Sequence, residues 1–108
     1  MPMPSEQAAR PPGRTQALQA QLMGELGENL AGLDAARRSE ALIAGQLLPQ
    51  SELSFRSALA AYENGKVDFA TLLDAQRQIR KAKADRLKAQ VDAQMRLADI
   101  ERIVGEDL

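Results

Sequence analysis

Between Ala75 and Ile103 the residues Ala75, Ile79, Ala82, Arg86, Ala89, Ala93, Arg96, Ile100 and Ile103 recur at alternating steps of four and three. That spacing draws one line along an α-helix, whereas a strand, whose faces alternate every second residue, scatters the same positions over both sides. Four of the nine are alanine, so a partner must bring its backbone close to satisfy the line. Only another helix laid alongside does this over such a length.

An upstream helix is legible in Leu18, Leu22, Leu26, Leu30 and Leu33, again at steps of three and four, with Thr15 as a candidate N-cap. Before it, four prolines and Gly13 crowd the first 13 residues, and residues 1–14 read as a loose tail. Gly24, Gly27, Gly32 and Gly45 each weaken a helix by about 1 kcal/mol relative to alanine, which predicts either close backbone packing or a weakly stable segment. Pro49 removes one ladder bond and crowds the carbonyl of Gly45, predicting a kink or brief break near Leu48. Phe55, Leu59 and Tyr62 resume the apolar period beyond it, which favours the kink.

The corner between the helices has its own chemistry. Asn64 and Gly65 supply a left-handed helix end, Asp68 is placed to cap the next helix through the amide of Ala70 or Thr71, and Val67 can staple onto Leu72. A connection of about four residues makes the flanking helices antiparallel neighbours. The second helix is expected from Phe69 to Val104, with Gly105 as its C′ residue. The fold class is therefore all-α, a long antiparallel helical hairpin kinked near Pro49, over residues 15–108.

A second row, Leu73, Ala84, Leu87, Val91 and Ala98, widens the apolar surface of the second helix beyond what one partner covers. More than one neighbour is implied. Asp92 with Arg96 and Asp99 with Arg102 are spaced for intrahelical ion pairs worth a few tenths of a kcal/mol each.

Composition excludes more than it suggests. The 108 residues carry 14 basic and 15 acidic side chains, a net charge of -1, so the molecule as a whole has no electrostatic reason to seek nucleic acid or an anionic membrane. Residues 69–104 carry eight basic against five acidic side chains, but acids interrupt the patch and stacking aromatics are missing. No nucleic-acid partner is expected. With no cysteine and no histidine, the chain lacks disulfides, thiol nucleophiles, imidazole bases and the usual zinc ligands. No cofactor, metal site or catalytic residue is expected, and the protein does not read as an enzyme. The start resembles no secretory signal, and no apolar run reaches the roughly 20 residues that cross a bilayer.

Leu47 to Gln50 (LLPQ), Tyr62 with Gly65, Leu72 to Gln76 (LLDAQ) and Ile100 to Gly105 occur in the order found near the C-terminus of the TolC family of outer-membrane efflux proteins, which the chain resembles from Leu47 to Gly105. Upstream, Gln21 to Ala44 is compatible with the preceding helix. The impression leans toward members that serve heavy-metal exporters. The resemblance implies a trimeric conduit, located in the outer membrane and periplasm and joined to a periplasmic adaptor and an inner-membrane pump. This hairpin would be one stave of its α-helical tunnel. Tyr62, Asn64, Gly65, Asp68 and Asp74 would then form the tip, with Asp74 at a charged constriction. An alternative reading of Asp74 is an exposed acid of the first helical turn, favoured by the helix dipole. Val67 and Thr71 depart from the family pattern, standing where a basic residue and a further acid can stand.

A full member also carries a second repeat, barrel strands and an export signal, so this chain reads as a fragment that reaches the membrane only through missing parts. The competing reading is a free-standing coiled-coil module that binds a protein partner through its hairpin tip. A periplasmic adaptor is disfavoured because the arginine-leucine-serine signature of such hairpins is missing around Gly65.

Overall fold

The computed structural model of the chain describes residues 13–106. It is an antiparallel helical hairpin: α1 (Arg14–Leu42) runs through a π-helical turn (Ile43–Leu47) into α2 (Leu48–Glu63), and α3 (Phe69–Gly105) returns along both. No strand occurs among the described residues. The molecule measures 92 × 26 × 19 Å, with a radius of gyration of 24.9 Å where a compact chain of this length has about 13 Å.

The returning helix packs as its spacing predicts. Ala75, Ala82, Ala89, Ala93 and Ile103 are buried, and Ile79, Arg86, Arg96 and Ile100 are half-buried between them. Opposite, Asn29, Leu33, Ala36 and Ile43 are the buried positions of the outgoing rod. Leu33, Ala36 and Ala93 form a cluster closed by Leu97 and Ile100. Among the described residues Ile103 alone is completely enclosed, so the core is a thin seam.

Four expectations change: the Thr15 cap, the bounds of the tail, the place of Leu30 and the role of Gly105. The first helix starts at Arg14, with Gly13 extended before it and the Gly13 carbonyl accepting from the Ala17 amide at 2.9 Å. Thr15 is thus already inside the first turn and cannot cap it. The expected tail loses Gly13 and Arg14 to this helix start, and its residues 1–12 lie outside the described residues. Leu30, expected on the inner face, is half exposed, because the seam passes through Asn29 and Leu33 on either side of it. Gly105 does not turn left-handed; it is the last helical residue, and the Glu106 amide bonds the Ile103 carbonyl at 3.2 Å.

Pro49 neither ends nor sharply breaks the helix. The turn before it widens, and the Leu48 amide reaches back five residues to Ile43. This lengthened step keeps the packing in register. From Asn29 to Ile43 the buried line advances by threes and fours; the widened turn then sets both Ile43 and half-buried Ala44 ahead of Leu48, and the line continues through Ser51, Phe55, Ala58 and Leu59, all half-buried. An uninterrupted α-helix would instead bring Leu47, Gln50, Ser54 and Ser57 toward α3; all four are exposed.

Candidate functional site

The corner closes by backbone bonds, to which the Asn64 and Asp68 side chains add their own. At the end of α2 the Lys66 amide donates to the Ala61 carbonyl at 2.8 Å and the Gly65 amide to Tyr62 at 3.0 Å, the paired pattern of a Schellman motif. Gly65 takes φ 69°, where a side chain would be strained, while Asn64 stays at φ −92°. Asn64 serves the turn differently: its amide Nδ2 donates to the Ala60 carbonyl at 2.9 Å.

Asp68 caps α3. Its Oδ1 accepts from the Thr71 amide at 3.0 Å and from the Thr71 hydroxyl at 2.8 Å, and these bonds, the amide first, hold the carboxyl below the ordinary aspartate range. Of the two expected amides it is Thr71 that is bound, and its hydroxyl adds a second bond that the spacing did not disclose. Val67 and Leu72, the expected staple, are both half-buried.

Above the turn, Tyr62 and Phe69 meet edge to face with ring centroids 6.1 Å apart and remain 42% and 59% exposed. An aromatic pair that keeps so much surface in water is available to a partner. Phe69 was legible only as a helix start; its pairing depends on the turn bringing it beside Tyr62. Asp74 sits in the second turn of α3 rather than the first, exposed and 3.4 Å from Arg77 of the same helix. All five expected tip residues thus lie at one end of the rod, but with separate tasks.

Below the tip, polar contacts cross the seam at intervals. The Gln90 side-chain amide donates to Glu40 Oε1 at 2.8 Å, with the Arg86 guanidinium 3.7 Å from the same oxygen. Farther down, Arg96 donates to the Asn29 side-chain carbonyl at 3.2 Å, and Arg102 approaches Glu25 at 3.6 Å. The Asn29 Nδ2 is satisfied by the Glu25 carbonyl at 2.9 Å. The expected pairs Asp92 with Arg96 and Asp99 with Arg102 are present at 3.9 and 4.0 Å.

The flanks are shallow and largely apolar. A groove of about 600 Å³ runs beside the seam between Ala35, Ser39 and Ile43 on one wall and Ala89, Val91 and Met95 on the other. On α3, Leu87, Val91 and Met95 are 61%, 51% and 63% exposed, and Ala84 and Ala98 of the same surface are also open. Of the second row only Leu73 is half-buried. Among the described residues no acidic cluster could hold a metal ion, and no helix is long and apolar enough to cross a membrane. Comparison with family models, curated proteins and solved structures returns no match.

Proposed function

We propose that this hairpin is a stave of a helical conduit, packing side by side with other hairpins as one element of the periplasmic tunnel of a TolC-type outer-membrane efflux channel. In that assembly it would engage a periplasmic adaptor and, through it, an inner-membrane pump. The observation that carries the reading is the open apolar surface of α3, from Ala84 through Leu87, Val91 and Met95 to Ala98, on a rod whose own partner helix is already accommodated by a different line of residues. The accessible surface of 8322 Å² against about 5,900 Å² for a compact monomer of this mass supports it: a slender hairpin gains most by lateral company.

In this reading the tip does the recognition. Tyr62 and Phe69 offer an exposed aromatic pair, and the capped turn holds them in place. The role is mechanical, a wall and a contact point without bond-making chemistry, and the choice of cargo belongs to the pump. The same exposed pair also favours the second reading, a free-standing module that binds a protein partner at its tip.

A photo-cross-linking residue at Phe69 in the source cell separates them. Adducts with the helical hairpin of a periplasmic adaptor are expected; adducts confined to a protein of another compartment would sink the conduit and favour the free-standing module.

A further inference from the structure

The outer surface of α3 is ordered along its length. Arg77, Arg80, Lys81 and Lys83 stand at the tip end, all exposed; Ala84, Leu87, Val91, Met95 and Ala98 fill the middle with Lys88 beside them; Asp99, Glu101 and Glu106 follow at the open end, where Arg102 of the same face is held by its chain neighbours Asp99 and Glu106. Val91 is about 160° around the axis from Ala89, at 100° per residue, so this surface centres away from the seam, with Val91 and Met95 also edging the groove beside α1. Among the described residues Arg80, Lys81, Lys83 and Glu101 take no intrachain ion pair.

We propose that, in the free chain, this surface is covered by a second copy of the same chain running antiparallel, the two α3 helices lying back to back with the centre of overlap near residue 90. The register follows from the charges. When the centre lies there, Arg80 of one copy falls within a turn of Glu101 of the other, and Leu87 and Val91 lie within a turn of Val91 and Leu87. Two-fold symmetry delivers every contact twice. A parallel pair would set Arg80 on Arg80, Lys88 on Lys88 and Glu101 on Glu101, like charges at each step along an apolar strip too narrow to offset them. The overlap from residue 77 to residue 103 is about 40 Å long at 1.5 Å per residue, and the shallow apolar trough of Val91, Met95 and Ala98 lies within it.

The assembly does not rest on the conduit reading. Staves of a tunnel point their tips the same way, whereas these two copies point them oppositely. The same face would thus be shielded by a second copy until other hairpins replaced it.

The absence of cysteine makes the test direct. Val91→Cys, Arg80→Cys, Glu101→Cys and, as an exposed control, Ser57→Cys are made in the full chain, with helicity checked by circular dichroism. A short bis-maleimide is expected to link Val91→Cys to itself at least about tenfold faster than Ser57→Cys. It should join Arg80→Cys to Glu101→Cys in a mixture, and leave Arg80→Cys alone unlinked, since the two copies of that residue are some 30 Å apart. Arg80→Glu is expected to weaken association about tenfold in sedimentation equilibrium, with Glu101→Arg added to it restoring the affinity. Self-linking of Arg80→Cys with no mixed product would show a parallel pair, overturning this proposal while leaving the conduit standing. Linking of Val91→Cys no faster than Ser57→Cys would overturn it outright.

Discussion

The Arg96 guanidinium lies across Gly32 so closely that a Cβ on the glycine would stand 2.6 Å from Nε and 2.7 Å from Cζ. This contact fixes the height at which α3 passes α1, because the same guanidinium reaches Asn29 one turn away at 3.2 Å. Gly24, Gly27 and Gly45 have open space where a Cβ would be, so close approach accounts for only one of the interior glycines.

Gly32→Ala is therefore expected to cost about 1 kcal/mol. The gain in helix propensity, about 1 kcal/mol, is outweighed by displacing Arg96 and its charged hydrogen bond, which is worth about 1.5–3 kcal/mol. In an Arg96→Ala background the same change should turn stabilising by about 1 kcal/mol. Urea unfolding of the four proteins measures this coupling, and equal effects in both backgrounds would refute it.

Glu40 receives both Gln90 and Arg86 at its Oε1, while the Arg86 Nε is enclosed without a hydrogen-bond partner. Glu40→Ala should destabilise the hairpin by about 1–2 kcal/mol, and Glu40→Gln by less, since the Gln90 bond can persist. The difference between the two variants should shrink in 0.5 M salt, where the ionic part is screened. Chemical denaturation at two salt concentrations gives the comparison.

The widened turn at Ile43–Leu47 inserts one residue into the helical count. Deleting Gly45 together with Pro49→Ala should leave a continuous α-helix with Phe55 and Leu59 still facing α3, and raise stability by about 1 kcal/mol or more. Deleting Ala35 instead, within α1, rotates everything before it by about 100° and should strip most of the helicity at residues 14–34. Amide chemical shifts and thermal melts distinguish the two outcomes.

The carboxyl of Asp68 is held below the ordinary aspartate range by the Thr71 amide and hydroxyl. A depressed folded value means that the charged cap contributes stability above the unfolded pKa of about 4 and loses that contribution as pH falls through the lower folded value. The melting temperature of the wild-type protein should accordingly exceed that of Asp68→Ala at pH 7 and approach it near pH 2. Asp68→Asn, an uncharged cap, should show a pH-independent offset from Asp68→Ala. A gap between wild type and Asp68→Ala that persists unchanged at pH 2 would remove the ionised carboxylate from the account.

The inner line of α3 was readable residue by residue, because one helix facing one partner leaves a simple 3.5-residue period from Ala75 to Ile103. The outgoing rod was harder. Its leucines suggested a stripe through Leu30, but the true line carries Asn29, whose burial is tolerable only with the Arg96 bond that arrives from 67 residues away. Arg86 and Arg96 could be read on the returning line because apolar neighbours frame them at every step, whereas Asn29, beside the competing Leu30, could not. At Pro49 the spacing told of a kink or brief break; the form of the irregularity, a widened turn over Ile43–Leu47, was not legible from it. At the tip, Gly65 and Asp68 were legible from local turn chemistry, whereas the meeting of Tyr62 with Phe69 required the turn itself.

The corner motif satisfies itself with bonds no more than five residues long, whereas the pairs beyond it join residues 50 and then 67 apart. Each rung nearer the open end becomes entropically cheap only when the rung above it has formed, since the loop to be closed is by then nearly closed. Such a chain zips from its bend downward, and it unzips from Arg102 and Glu25 upward.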